Sequence, residues 1–367
     1  IGIAPGKFAA GKDDAIPKMA ELLGISQERI AKVYEAAKNP DWFYPVVTLP
    51  SAAGDLSAAL TAIDGVLYQR TGGRVYPAGA AAGLVIGYIG PITAEELADR
   101  SGQGYTANDK IGKMGLEQVY EARLRGARGG EITVVNGESG QLKDVIARKE
   151  PVDGENITLT LDVNTQICLY DAMKEEAGAA AAIQPLTGEI LALVSTPSFD
   201  PNLLQTYVPD AVQQAWNEAS KSAFANRFKI GYAPGSVFKL VTAAIGLKAG
   251  TLDPDEALPI SGKQWQPDAS WGGYTITRVK DTGRPVNLTD ALLFSDNIYF
   301  AQQALRIGAE RFTERSADFA IGEILPIDYP FYPSQLSNNG LTSDVLLADT
   351  GYGQGEIQLS PLHVALF

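Results

Sequence analysis

The sequence holds one cysteine and one histidine, and each scarcity excludes chemistry. A single cysteine, Cys168, leaves no internal disulfide and no cysteine-built zinc site. It falls in the helical pattern Gln166-Ile-Cys-Leu-Tyr170, where a small buried hydrophobe is expected. The lone histidine, His363, excludes a multi-histidine metal site, and a Ser-His-Asp triad would have to be built on that residue. It follows Ser360 and Pro361, which read as N-cap and first residue of a helix, and a helical surface position is expected for it. A serine enzyme with this sequence therefore needs a base other than histidine. No run reaches the roughly 18–20 apolar residues of a membrane span. The start, Ile1-Gly-Ile-Ala-Pro5, has neither methionine nor a basic leader, so the chain reads as an internal fragment. Basic residues are also in deficit, 30 against 43 acidic for a net charge of −13, which argues against nucleic acid as a partner.

What is present is an ordinary folded composition over 367 residues, enough for two or three domains. Helical patterns cover Asp13 to Leu23 and Ser26 to Lys38. Residues 46–92 read as short strands and turns. Thr93-Ala-Glu-Glu96 is a capping box, a helix is expected over Leu116–Leu124, and Glu131 to Val135 is strand-like. Together residues 1–150 form a first, elongated region. A boundary is expected near Glu150-Pro-Val-Asp-Gly154, opening a second domain over 151–367. There Ile157 to Asp162 alternates as a strand, and Asn164 is placed to cap a helix. Ala179–Ile183 and Glu189–Ser195 form a hairpin across Pro185-Leu-Thr-Gly188. Strand, helix and antiparallel hairpin in series indicate an α+β domain. The loop from Gly262 to Val286 is long enough to be functional, and its Trp265, Trp271 and Tyr274 either line a groove or cover the core.

The stretch Tyr232-Ala-Pro-Gly-Ser-Val-Phe-Lys239 carries the chemistry. Pro234 and Gly235 break the chain, and a nearly all-apolar helix begins at or near Ser236. Ser236 and Lys239 are spaced to share one helix face. Burial among Phe238, Leu240, Val241 and Ile245 disfavours the lysine's charged form and lowers its pKa toward that of a usable base. A serine beside such a base becomes a nucleophile, and the N–H groups of the helix start suit a developing oxyanion. Taken alone, the tetrapeptide is short and common, and it reads first as a capping serine and a lysine whose stem snorkels to solvent.

Further along, Ser295-Asp-Asn297 sits between two apolar helical patterns. Ser-x-x-Lys opening a buried helix, then Ser-Asp-Asn, are two of the three motifs of penicillin-recognising enzymes. With them, Ala82 to Gly90, Ile111-Gly-Lys-Met-Gly-Leu-Glu117, Leu159-Thr-Leu-Asp162, Ser195-Thr-Pro-Ser-Phe-Asp-Pro201 and Gly351-Tyr-Gly-Gln-Gly355 give a chain that resembles the class B penicillin-binding proteins over nearly its whole length. It looks most like their low-affinity, resistance-type branch. The Gly351–Gly355 glycines are not followed by Gly-Lys-Ser/Thr, so they are expected to form a turn before a helix rather than a phosphate loop.

The resemblance implies a transpeptidase domain, antiparallel sheet with helices, preceded by an elongated dimerisation or pedestal domain. It implies a peptidoglycan D,D-transpeptidase in which Ser236 attacks, Lys239 takes its proton, Ser295 relays protons and Asn297 binds substrate, with Asp296 turned away. No metal or organic cofactor is implied. Implied partners are peptidoglycan stem peptides, β-lactams as covalent inhibitors, and a glycan polymerase or division and elongation proteins. The implied location is the extracytoplasmic face of a bacterial membrane, held by an anchor outside this chain. The family's third motif, Lys-Thr/Ser-Gly, does not follow Ser295; Arg-Thr-Gly72 and Asp-Thr-Gly283 are misplaced for it, so a truncated domain is expected. The rival enzyme is a serine β-lactamase or penicillin-sensing receptor. From Glu310 onward no glutamate has an asparagine four residues later, as a class A deacylation loop requires.

Overall fold

Helix starts follow local capping chemistry. In the computed structural model, which describes residues 1–218 and 222–367, Ser26 accepts from Arg29 N and opens the helix Gln27–Ala36. Thr93 and Glu96 form a complete capping box ahead of Ala94–Asp99. Ser360 accepts from His363 N ahead of Pro361–Ala365. The described residues divide into two units, Ile1–Gly178 with Val194–Ala225, and Ala179–Leu193 with Asn226–Phe367. Among them no helix is long and apolar enough to cross a membrane.

In the first unit, Gly2–Ile3 is the central strand of a small antiparallel sheet between Tyr44–Pro45 and Val66–Leu67. The helices Lys12–Leu23 and Gln27–Ala36 close over it, burying Phe8, Met19, Leu23 and Ile30. Each such side chain contributes roughly 1.5–3 kcal/mol when fully buried. Residues 46–92 are more helical than their sequence suggests, with Gly54–Thr61 and Gly83–Ile86 both helical. The helix expected over 116–124 is divided at Tyr120. A hairpin of Gly130–Val135 and Leu142–Lys149 is exposed along its whole length. Ile157 to Asp162 forms no strand. Asp162, not Asn164, caps the helix Val163–Met173, its carboxylate accepting from Thr165 N at 2.7 Å. That cap sets the helix rotation: Gln166 turns inward and donates to the Ala81 carbonyl at 2.6 Å. Cys168 is consequently exposed, against the expectation of burial.

The second unit begins with the expected hairpin, closed by Gln184 N donating to Glu189 O at 2.9 Å. Its helical core joins Lys239–Ala249, Asn297–Ile307 and Asp344–Thr350, around Phe238, Val241, Ile245, Phe300, Ala304 and Leu347. Trp265 and Trp271 pack edge to face, ring centroids 5.8 Å apart, against this core and so cover it. His363 departs from expectation: it is 1% exposed. Its Nε2–H donates to the Phe319 carbonyl at 2.8 Å and its ring lies 6.1 Å from that of Phe367. A satisfied imidazole N–H makes the burial tolerable.

Candidate active site

Two chain breaks set the site, and both lie in the second unit. At the first, Pro234 and Gly235 lead into a 3₁₀ turn, Gly235–Phe238, that runs into the helix Lys239–Ala249. Its rotation sends Phe238 and Lys239 inward and leaves Leu240 56% exposed, so an apolar side chain faces out while the lysine is 2% exposed. At the second, the helix Leu288–Leu293 stops, and Ser295 adopts a left-handed backbone with φ +50°. Such a conformation costs a serine about 1–3 kcal/mol and persists where its surroundings fix it. Asp296 then caps the helix Asn297–Ile307, Oδ1 accepting from Ile298 N at 2.9 Å and Tyr299 N at 3.1 Å. The cap turns Asp296 away from the cluster and leaves Ser295 and Asn297 aimed at Lys239.

All four residues singled out from sequence converge. Lys239 Nζ lies 3.0 Å from Ser236 Oγ, 2.8 Å from both Ser295 Oγ and the Ser295 carbonyl, and 2.7 Å from Asn297 Oδ1. Ser295 Oγ donates to Ser236 Oγ at 2.9 Å. The Asn297 amide orientation is fixed from behind, because Nδ2 donates to the Thr277 carbonyl at 3.0 Å.

Proton counting on this cluster is informative. The Ser295 carbonyl and Asn297 Oδ1 only accept, so each takes one N–H from Lys239. A neutral amine has two N–H groups and one lone pair. The two N–H groups are spent on these fixed acceptors, and the lone pair is left facing the hydroxyls of Ser236 and Ser295. Burial favours that neutral form: it lowers the Lys239 pKa from 10.5 to about 8, opposed by the weaker attraction of the Asp296 charge. The cluster therefore presents the Ser236 hydroxyl with a neutral amine as proton acceptor.

Sequence reading missed what holds the first break. Gly235 N donates to the Gly353 carbonyl at 2.8 Å, and Thr242 Oγ1 donates to the Gly351 carbonyl at 2.8 Å. Gly353 has φ +79°, and a Cβ there would stand 2.0 Å from the Gly235 oxygen. The Gly351–Gly355 turn is thus a backbone clamp on the residue before Ser236. The glycine spacing was visible, but nothing in the sequence pairs it with Gly235.

Residues 178–367 match the family model described as penicillin binding protein transpeptidase domain, and residues 1–159 that of the penicillin-binding protein dimerisation domain. Penicillin-binding protein 3 of Bacillus subtilis is 43% identical over 366 residues, spanning 100% of this chain and 54% of the relative. Peptidoglycan D,D-transpeptidase MrdA of Acinetobacter baumannii is 29% identical over 369 residues, spanning 96% of this chain and 54% of the relative. The chain thus spans about half the length of these curated relatives. Among solved structures, the complex between penicillin-binding protein PBP2 and MreC from Helicobacter pylori shares the fold, with a TM-score of 0.73 at 23% identity over 96% of this chain and 68% of that one. PBP2 of Pseudomonas aeruginosa in complex with WCK 5153 shares it with a TM-score of 0.64 at 24% identity, over 83% and 66%. The expected pairing of an α+β transpeptidase domain with a dimerisation domain is what these matches describe, and the chain belongs to the class B penicillin-binding proteins.

Proposed function

We propose that the protein is a peptidoglycan D,D-transpeptidase acting through an acyl-enzyme on Ser236. The observation that carries this reading is the triangle of Ser236 Oγ, Lys239 Nζ and Ser295 Oγ, with sides of 2.8–3.0 Å. Ser236 Oγ attacks the carbonyl carbon of the penultimate D-Ala of a stem peptide, and its proton passes to the Lys239 lone pair. An N–H group of the opening turn beyond that of Gly235, which is spent on the Gly353 carbonyl, holds the oxyanion. The tetrahedral adduct collapses with cleavage of the C–N bond, and the leaving amine takes its proton from Lys239 through Ser295. D-Ala departs. An amine from a neighbouring stem attacks the ester, its proton returns along the same path, and Ser236 is regenerated. Asn297 steadies Lys239 through Oδ1 and offers its second Nδ2–H to a substrate carbonyl. A β-lactam acylates the same serine, and its opened ring stays tethered at the site.

The chemistry is assigned to residues 151–367 and partner docking to residues 1–150. A neighbour's complex with MreC supports a protein of that kind as one partner, and family resemblance adds a glycan polymerase or division and elongation proteins. The protein is placed on the extracytoplasmic side of a bacterial membrane. Assignment to the low-affinity branch rests on sequence resemblance, and the second-order rate of acylation by penicillin measures it.

The test is incubation of the full-length protein with a fluorescent penicillin, followed by peptide mapping. A long-lived adduct on the peptide holding Ser236 is expected. An adduct elsewhere, or none, overturns the assignment, and release within seconds turns the protein into a β-lactamase. The pH profile adds a second expectation. Acylation needs neutral Lys239, so below a pKa of about 8 its rate rises about tenfold per pH unit and then levels off. Stopped-flow acylation between pH 6 and 10 would show that limb.

A further inference from the structure

We infer that Arg278 is a positioning residue for the site, fixing the Ser295–Asn297 turn and neutralising the Asp296 carboxylate behind Lys239. The inference rests on the transpeptidase reading and adds to it a residue outside both motifs. Arg278 lies on the long loop whose strand Ile276–Thr277 pairs with Gln264–Trp265. Its side chain is 0% exposed, and its guanidinium is held on all sides. Nη1 donates to Asp296 Oδ2 at 2.8 Å, and Nε to the Gly262 carbonyl at 2.8 Å. Nη2 donates to Asp281 Oδ1 at 2.7 Å and to the Ile260 carbonyl at 3.2 Å.

The pairing is a double stitch. Two consecutive loop residues hold two consecutive turn residues: the Thr277 carbonyl takes Asn297 Nδ2, and Arg278 takes Asp296. Asp296 spends one oxygen on the helix start and the other on Arg278. Ser295, next in the chain, is thereby held in its left-handed conformation with Oγ between Ser236 and Lys239. A buried ion pair is weak evidence for stability, because desolvation offsets the attraction. Its geometric consequence here is specific.

The charge consequence is separable. The groups facing Lys239 are Ser236 from its own helix, the Ser295 hydroxyl and carbonyl, the Asn297 amide, and the Phe300 ring at 5.9 Å. Asp296 acts on it through space. Behind Asp296 stand Arg278 and then Asp281, while Lys280 is turned over the Phe294 ring. The Arg278 guanidinium is the positive charge set directly against the Asp296 carboxylate, at 2.8 Å.

The experiment is acylation of Ser236 by fluorescent penicillin, measured from pH 6 to 10 on full-length wild type and four variants. Arg278→Met is expected to move the acid limb about one unit to higher pH, lowering the rate at neutral pH about tenfold. Asp296→Asn moves the limb the other way. The double variant, lacking both charges, brings it back to the wild-type position or below. Arg278→Lys keeps the limb and slows the plateau, since an ammonium cannot reproduce the fork. A wild-type limb in Arg278→Met and in Asp296→Asn overturns the charge role, and an unchanged plateau in Arg278→Lys overturns the positioning role. If Arg278→Met fails to fold, Asp296→Asn and Arg278→Lys decide both points alone. Absence of a Ser236 adduct in wild type would instead defeat the transpeptidase reading.

Discussion

Exchanging Lys239 for methionine is expected to slow acylation of Ser236 about a thousandfold, within the range for removal of a general base. Methionine keeps the volume and the apolar stem but leaves the Ser236 hydroxyl without its proton acceptor. Ser295 Oγ remains 2.9 Å from Ser236 Oγ, yet a neutral hydroxyl is no base on its own. Fluorescent-penicillin labelling against time measures the effect. Acylation at the wild-type rate would place the base elsewhere.

The same substitution has a thermodynamic signature. In the unfolded chain Lys239 titrates near 10.5, and in the fold near 8. Between those values the unfolded state binds more protons, so stability rises with pH across that window. The total rise is about 3 kcal/mol, since each unit corresponds to about 1.4 kcal/mol. Below the lower value the burial penalty is fully expressed. Two tyrosines oppose the trend from pH 10 upward. Tyr76 and Tyr274 are pushed up to about 12, largely by burial, and they lose stability as their unfolded counterparts ionise. They are common to both proteins. The difference between wild type and Lys239→Met, measured by denaturant unfolding from pH 7.5 to 9.5, therefore isolates the lysine. Parallel curves would mean that Lys239 is not depressed by burial.

Why the lysine could be read from sequence and its supports could not is a matter of range. Ser236 and Lys239 are neighbours on one helical turn, so local spacing alone brings them together. Ser295, Asp296 and Asn297 form one cap, and a cap is a local object too. The rotation of a helix is not. Periodicity gave the Val163–Met173 and Pro361–Ala365 helices but put Cys168 inside and His363 outside, the reverse of what their surroundings impose. The Ala81 carbonyl draws Gln166 in, and the Phe319 carbonyl accommodates His363. Ile157 to Asp162 has the alternation of a strand, but strand formation is a tertiary property, and among the described residues the segment is not a strand. Arg278 lies in the long loop from Gly262 to Val286, outside both motifs, and only the fold brings it to Asp296. The α+β class, the hairpin and the motif residues were legible because each rests on short-range rules.

Gly353→Ala is expected to cost about a hundredfold in acylation although residue 353 takes no part in the reaction. The reason is the clamp. A Cβ at 353 would lie 2.0 Å from the Gly235 oxygen, 2.7 Å from its carbonyl carbon and 2.9 Å from its nitrogen. All three are backbone atoms, so no side chain can swing aside, and the Gly235 N to Gly353 O bond must lengthen or break. Relieving the contact needs a shift of about 1 Å in the residue bonded to Ser236, and a displacement of that size at a nucleophile costs about 10²-fold. The substitution also forces alanine to φ +79°, a strain of about 1–3 kcal/mol that lowers stability. Gly355 supplies the control. It has φ +74°, but an added Cβ meets only side-chain atoms, Leu346 Cδ1 at 3.1 Å, Thr350 Oγ1 at 3.4 Å and Asp349 Cβ at 3.5 Å. Gly355→Ala should therefore lose comparable stability while keeping acylation within a few-fold of wild type. Thermal melts and acylation rates of the two variants, compared side by side, decide the matter. Equal acylation in both would mean that the turn stabilises the fold without positioning Ser236, whereas a loss confined to Gly353→Ala ties the nucleophile's position to a backbone contact more than a hundred residues along the chain.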